Sequence, residues 1–239
     1  MSSQSARAAD YDLLVIGGGI NGAGIARDAA GRGLKVLEVE MADLASATSG
    51  WSSKLIHGGL RYLEYYEFRL VREALEEREV LLNAAPHIVR PMRFVLPHDR
   101  TMRPVWMIRI GLWMYDHLGK RVSLPGSHTV KFPHIEFSAG RKPEIRSGIV
   151  YSDCRVADAR LTSLTAMAAR DKGAKVLTRT KFTGGRREGG LWKAELQDMR
   201  TGGRSTVTAT AIANVAGPWV SSVLEGVPHA ATGAHVRLV

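Results

Sequence analysis

The stretch from Asp12 to Glu40, DLLVIGGGINGAGIARDAAGRGLKVLEVE, restricts the fold more than any other part of the chain. Leu13 to Ile16 is a continuous apolar run, the pattern of a parallel strand covered on both faces. Gly17, Gly19 and Gly22 follow at the G-x-G-x-x-G spacing, with Gly18, Ile20 and Asn21 between them. The first glycine permits a tight turn, the second lets backbone approach a pyrophosphate, and the third lets a helix lie close on the sheet. The spacing predicts a helix from Asn21 to about Gly31, its first N–H groups aimed at that phosphate, and ended by Gly33. Lys35 to Val39 reads as the next strand. Glu40 closes it, about twenty residues beyond the glycines, where a carboxylate accepts from both ribose hydroxyls. The acid favours an unphosphorylated ribose, as in FAD or NAD, and leaves open which of the two is bound.

With 239 residues, 45% of them hydrophobic and 23% charged, the chain suits one large or two modest soluble domains. The net charge of +10 fits nucleic acid, an anionic membrane surface or anionic substrates and cofactors. The basic residues are spread, with only short pairs at Lys120–Arg121 and Arg186–Arg187, so nucleic acid is the least supported partner. Cys154 is alone, which rules out an internal disulfide or a cysteine metal site, and no metal is expected. The first ten residues, MSSQSARAAD, lack the apolar core of a signal peptide and read as a disordered leader. No apolar stretch reaches the roughly 18 residues of a membrane span. These features predict a cytoplasmic protein, with attachment to a membrane surface left open.

Residues 43–65, DLASATSGWSSKLIHGGLRYLEY, are the second informative stretch. Small hydroxyl residues and paired glycines let backbone pass close to a flat ligand with N–H groups as donors. This marks Thr48, Ser49, Ser52, Ser53, Lys54, His57, Gly58 and Gly59 as candidate cofactor contacts. A helical turn here would gather His57 and Arg61 on one face.

Several runs together resemble FAD-dependent glycerol-3-phosphate dehydrogenases. They are IGGGINGAGIARDAAGRG, SSKLIHGGLRYLE, EFRLVREALEEREVLL, RPVWMIRIGLWMYDHLGKR, YSDCRVADARL and NVAGPW, covering nearly the whole chain from Tyr11 onwards. The resemblance implies an α/β fold: a Rossmann-like FAD-binding domain of the two-domain flavin oxidoreductase type, with part of a β-rich substrate domain. It implies FAD as cofactor, glycerol 3-phosphate as substrate, a quinone as electron acceptor and peripheral association with the inner face of the cytoplasmic membrane. A homodimer is left open. It also places Ala216 and Gly217 against the cofactor phosphates, with Ala216 standing where the family has threonine; Phe182 is counted among the cofactor contacts. The family's chains extend well beyond Val239, so a chain lacking much of its substrate domain is expected.

The remaining elements follow from periodicity. Phe68 to Asn83 carries an apolar helical stripe, and its run of Glu and Arg reads as a solvated face. Arg93 to Leu96 reads as a short strand closed by Pro97, and 119–144 as loop. Pro104 to Leu118 reads as a buried helix, or as an interfacial one with Trp106, Trp113 and Tyr115 at headgroup level. A helix from Asp158 to about Lys172 and a strand from Lys175 to Arg179 extend the dinucleotide sheet. Thr180–Arg187 and Leu191–Asp198 flank a Glu-Gly-Gly turn, and Thr206–Asn214 returns to the sheet. The expected organisation is a leader at 1–10, the FAD-binding unit with the flavin and substrate segment at 11–85, an insertion at 86–148, a return to the FAD domain at 149–220 and the start of the substrate domain at 221–239.

The resemblance implies chemistry in which C2 hydride leaves to flavin, a base takes the hydroxyl proton and cations hold the phosphate. Arg61 is the candidate phosphate ligand and Tyr62 a positioning hydroxyl. His57 is a candidate base, since imidazole titrates at about 6.5, or instead a hydrogen-bond partner of the flavin or a carbonyl. Two other functions fit the same cofactor domain: a flavin oxidase acting on an amine or amino acid, and a non-catalytic dinucleotide-binding module.

Overall fold

A computed structural model describes residues 8–99, 101–119, 123–132 and 144–228. In chain order its elements are β1 (Tyr11–Ile16), α1 (Ile20–Gly31), β2 (Val36–Val39), β3 (Leu55–Ile56), α2 (Phe68–Ala84), β4 (Val89–His98), α3 (Val105–Leu118), β5 (His128–Lys131), β6 (Ser147–Val156), α4 (Asp158–Asp171), β7 (Lys175–Leu177), β8 (Thr180–Glu188), β9 (Leu191–Asp198), β10 (Arg204–Asn214) and α5 (Val220–Glu225). The chain divides into two units, one formed by residues 1–52 and 158–239 and the other by 53–157. The segment that carries His57 therefore opens the second unit instead of closing the first.

The first unit is built on a six-stranded sheet in the order β7-β2-β1-β10-β9-β8. The strands β7, β2, β1 and β10 run parallel, and β9 and β8 continue the sheet antiparallel. β1 is central because its apolar run is buried from both sides. Leu14 and Ile16 join Leu37, Val39, Phe182 and Leu196 on one face, and Val15 joins Val36 and the alanines of α1 and α4 on the other. Those alanines, Ala26, Ala29, Ala30 and Ala169, are small enough to bring the helices close to the sheet. Burying a side chain such as Leu14 or Val15 completely contributes about 1.5–3 kcal/mol over leaving it exposed. Gly33 ends α1 in the left-handed region at φ +86°. The hairpin at Gly189-Gly190 and the return of β10 to β1 stand where the sequence places them.

The second unit centres on β6, which pairs antiparallel with β3, β4 and β5. β4 runs through Pro91 and Pro97 and extends well beyond the expected 93–96. Among the described residues it pairs only with β6, and at a sheet edge a proline removes no required ladder bond. β5 lies within the stretch read as loop. Val71 and Leu75 of α2 pack on Tyr115 of α3.

Two expectations about helices fail. In α2 the charge run is not wholly solvated: Arg78 and Glu79 are buried at 4% and 6% exposure. In α3 only Leu112 and Tyr115 are buried, while Trp106 and Trp113 are each 61% exposed, so neither a wholly buried helix nor a Tyr115 at an interface is found. The leader expected at 1–10 lies mostly outside the described residues; Asp10 itself is tied to β10, its N–H donating to Thr208 Oγ1 and its carboxylate accepting from Thr208 N–H. The segment expected at 221–239 is described only to Pro228.

Candidate active site

The glycine turn of the first unit has no room for side chains. Gly17 lies at φ +119°, and a Cβ there would stand 2.6 Å from Val215 O; one on Gly22 would stand 1.8 Å from Gly17 O. α1 thus starts directly on the turn, and Gly19, its N-cap, has no side chain to satisfy the first N–H groups. One of them, Ile20 N–H, donates to Ser49 Oγ at 3.0 Å. Ser49 belongs to a short 3-10 turn at Thr48–Gly50, which places that candidate pair beside the glycines.

Glu40 follows β2, and its two carboxylate oxygens accept Gly18 N–H at 2.7 Å and Ala42 N–H at 2.8 Å. Both bonds fix the carboxylate at the carboxyl end of the sheet, with lone pairs remaining for ribose hydroxyls. On the other side, Ile16 pairs with Asn214, and the chain leaves β10 through Val215, Ala216 and Gly217 against Gly17. β1 is followed by β2 on one flank, whereas its other neighbour is β10, so the turn stands at a topological switch point, where α/β sheets take their ligands. A glycine cradle closed to any Cβ, a helix start without a side-chain cap and an anchored acid fit the diphosphate and ribose of FAD. Ser52 Oγ donates to Asp158 at the start of α4. Phe182 sits in the apolar core on β8.

Glu38, two residues before Glu40, was not singled out by sequence. It is completely buried and neither carboxylate oxygen has a hydrogen-bond partner among the described residues. Burial, and then the charge of Glu40, push its pKa up to about 7.

The other candidates, Ser53, Lys54, His57, Gly58, Gly59, Arg61 and Tyr62, belong to the second unit. No helical turn joins His57 to Arg61: Gly59 is left-handed at φ +69°, and a 3-10 stretch begins only at Leu60. The turn nevertheless brings them together, since His57, Arg61 and Tyr62 line one cavity of about 450 Å³. Its walls include Tyr65, Phe94, Tyr151 and Asp153, with Phe94 and Tyr151 stacked at 5.3 Å. Beneath it is a buried polar group. Arg78 Nη1 donates to Asp153 Oδ1 at 2.6 Å, the Tyr115 hydroxyl donates to the same carboxylate, and Gly58 N–H donates to that hydroxyl at 2.7 Å. Desolvation pushes the Asp153 carboxyl up, against the lowering pull of Arg78 and Tyr115; desolvation and Asp153 push the Tyr115 phenol up. Asp153 and Arg78 were missed by sequence reasoning. Arg78 had a signal: with Val71, Leu75 and Leu82 it follows the apolar period of α2, at a position facing the core.

The model of the FAD dependent oxidoreductase family (DAO) matches residues 12–239. The aerobic glycerol-3-phosphate dehydrogenase of Escherichia coli is 59% identical over 228 residues, which is 95% of this chain and 45% of that protein. The D-erythritol 1-phosphate dehydrogenase of Brucella abortus is 57% identical with the same coverage, so the chain spans less than half of either relative. The glycerol-3-phosphate dehydrogenase of Bacillus halodurans, solved in complex with FAD, superposes with a TM-score of 0.65 at 31% identity, over 93% of this chain and 37% of that one.

Proposed function

This chain belongs to the FAD dependent oxidoreductase family, and from that premise we propose that it forms the cofactor domain and part of the substrate site of an enzyme oxidising sn-glycerol 3-phosphate to dihydroxyacetone phosphate. The choice between FAD and NAD left open by the glycine motif is settled for FAD by the family. The observation that carries the substrate reading is the single cavity where Arg61, Tyr62 and His57 meet. When bound, FAD supplies the acceptor for the hydride that leaves C2.

The chain's own residues do the rest. Gly17, Gly19 and the start of α1 hold the diphosphate, and Glu40 holds the ribose. Arg61 binds the substrate phosphate through its guanidinium fork. Tyr62 and His57 orient the hydroxyl that loses its proton to water, and Phe94 and Tyr151 form an aromatic wall of the cavity. A quinone as electron acceptor and a peripheral place on the cytoplasmic face of the membrane belong to the same proposal, supported by the exposed tryptophans of α3. No described helix is long and apolar enough to cross a membrane.

A four-carbon polyol phosphate is the second reading, favoured by the 57% identity to the erythritol phosphate enzyme. Anaerobic visible spectra of the flavin-loaded protein test both. Bleaching by glycerol 3-phosphate at lower concentration than by D-erythritol 1-phosphate supports the first reading, and the reverse order selects the second. Bleaching by an amino acid alone sinks both.

A further inference from the structure

The turn that carries His57 is held by two hydrogen bonds, and together they specify which ring nitrogen bears the proton. Gly59 N–H donates to His57 Nδ1 at 2.9 Å. A ring nitrogen that accepts a hydrogen bond carries no proton, so the neutral imidazole has its N–H at Nε2. One residue on, Gly58 N–H donates to the Tyr115 hydroxyl, whose one proton goes to Asp153, with its two oxygens at 2.8 and 2.9 Å. Asp153 is fixed in turn by Arg78. Both glycines are required where they are. A Cβ on Gly58 would stand 2.4 Å from Leu75 Cδ2, and one on Gly59 would stand 2.5 Å from the Tyr62 ring. The contacts run from α2 through β6 and α3 into the turn, and Arg78, Asp153 and Tyr115 are all nearly inaccessible to solvent.

We propose that Tyr115 and Asp153 are positioning residues that clamp the His57–Gly58–Gly59 turn, so that His57 presents an Nε2–H donor to the oxygen of the substrate hydroxyl, whose proton passes to a water molecule in the cavity and not to His57. The statement rests on the polyol-phosphate reading of the cavity. In this arrangement Nε2 has no lone pair in the ring plane, and Nδ1 is occupied by Gly59. Proton acceptance at His57 requires the turn to break.

Long-range proton–nitrogen NMR of the histidine-labelled chain, in alkaline buffer, tests the clamp without substrate. The His57 signal, identified by its loss in His57→Gln, is expected to show an unprotonated Nδ1 and a protonated Nε2. Tyr115→Phe is expected to give a mixture of both tautomers. A protonated Nδ1 in the unaltered chain overturns the proposal, and so does an unchanged pattern in Tyr115→Phe. If that variant does not fold, the unaltered chain still decides. The kinetic arm separates donor from base. Glutamine donates a hydrogen bond but takes no proton, so His57→Gln is expected to keep kcat within about tenfold and to exceed His57→Leu, whereas removing a general base costs about 10²–10⁴-fold. A glutamine variant as inactive as the leucine one overturns the donor role. Absence of turnover by the unaltered protein counts against the polyol-phosphate reading alone, because the tautomer is read independently of it.

Discussion

The carboxylate of Glu40 accepts the N–H of Gly18 at 2.7 Å, tying the acid beyond β2 to the glycine turn beyond β1. The acid proposed to hold the ribose therefore also shapes the turn proposed to hold the diphosphate. Glu40→Gln removes the charge and one acceptor. A charged hydrogen bond is worth about 1.5–3 kcal/mol, so the Kd for FAD is expected to rise about 10- to 100-fold in a flavin fluorescence titration.

Two glycines in the same helix have opposite tolerance. A Cβ on Gly22 collides with Gly17 O, whereas one on Gly24 meets nothing within 4 Å. Gly22→Ala is expected to abolish FAD binding and lower the melting temperature. Gly24→Ala is expected to stabilise by up to about 1 kcal/mol through helix propensity, with FAD binding kept. Equal effects from the two changes, read by thermal melts with and without FAD, would contradict this.

Glu38 makes stability depend on pH. Its carboxyl titrates at about 7 in the folded chain because burial, then Glu40, disfavour the charge; unfolded, it titrates near the ordinary glutamate value of 4.5. Between these values the folded state holds the extra proton, so stability falls as pH rises through that window and the full penalty is present above it. The size is of order 3 kcal/mol. Glu38→Leu is expected to flatten the fall in urea midpoint between the two pH values and to be the more stable protein at pH 8.

Breaking the buried pair beneath the cavity is costly. Arg78→Met leaves the Asp153 carboxylate without its cation at 3% exposure. The loss is expected to be about 3–5 kcal/mol in chemical denaturation. The pairs Arg69–Glu73 and Arg72–Glu76 on the same helix are exposed and screened by water, so their removal is expected to change stability little and is the control.

The outer face of α3 carries Trp106, Ile110 and Trp113. If it meets lipid, a protein with both tryptophans changed to serine is expected to lose most of its sedimentation with anionic vesicles while keeping its flavin. Undiminished sedimentation would remove α3 from the membrane proposal.

The strand, glycine turn and helix of the first unit were legible in the sequence because their determinants are local. Strand, glycine turn, helix and acid lie within Asp12 to Glu40, and each residue type there answers a backbone or ligand demand of its own. The polar group under His57 was not legible in the same way. It draws Arg78, Tyr115 and Asp153 from three elements distant in sequence, and charge in a helix reads as solvated unless its period is followed. β4 was truncated in the reading because its prolines look like breakers until the strand is known to be an edge.

The central strand of the first unit pairs with β2, which follows it at once, and with β10, which arrives only after the whole second unit has intervened; the bond from Asp10 to Thr208 spans 198 residues. During synthesis β1, α1 and β2 emerge early with one flank of their sheet unpaired, and the wall that Val215 gives to Gly17 is among the last of the described parts to appear. Closing so long a loop is slow, and an uncovered strand edge invites wrong partners in the meantime. The cofactor cradle is thus finished well after its motif is made, and the nascent chain carries its glycine turn through the synthesis of the whole second unit before the strand end that walls it arrives.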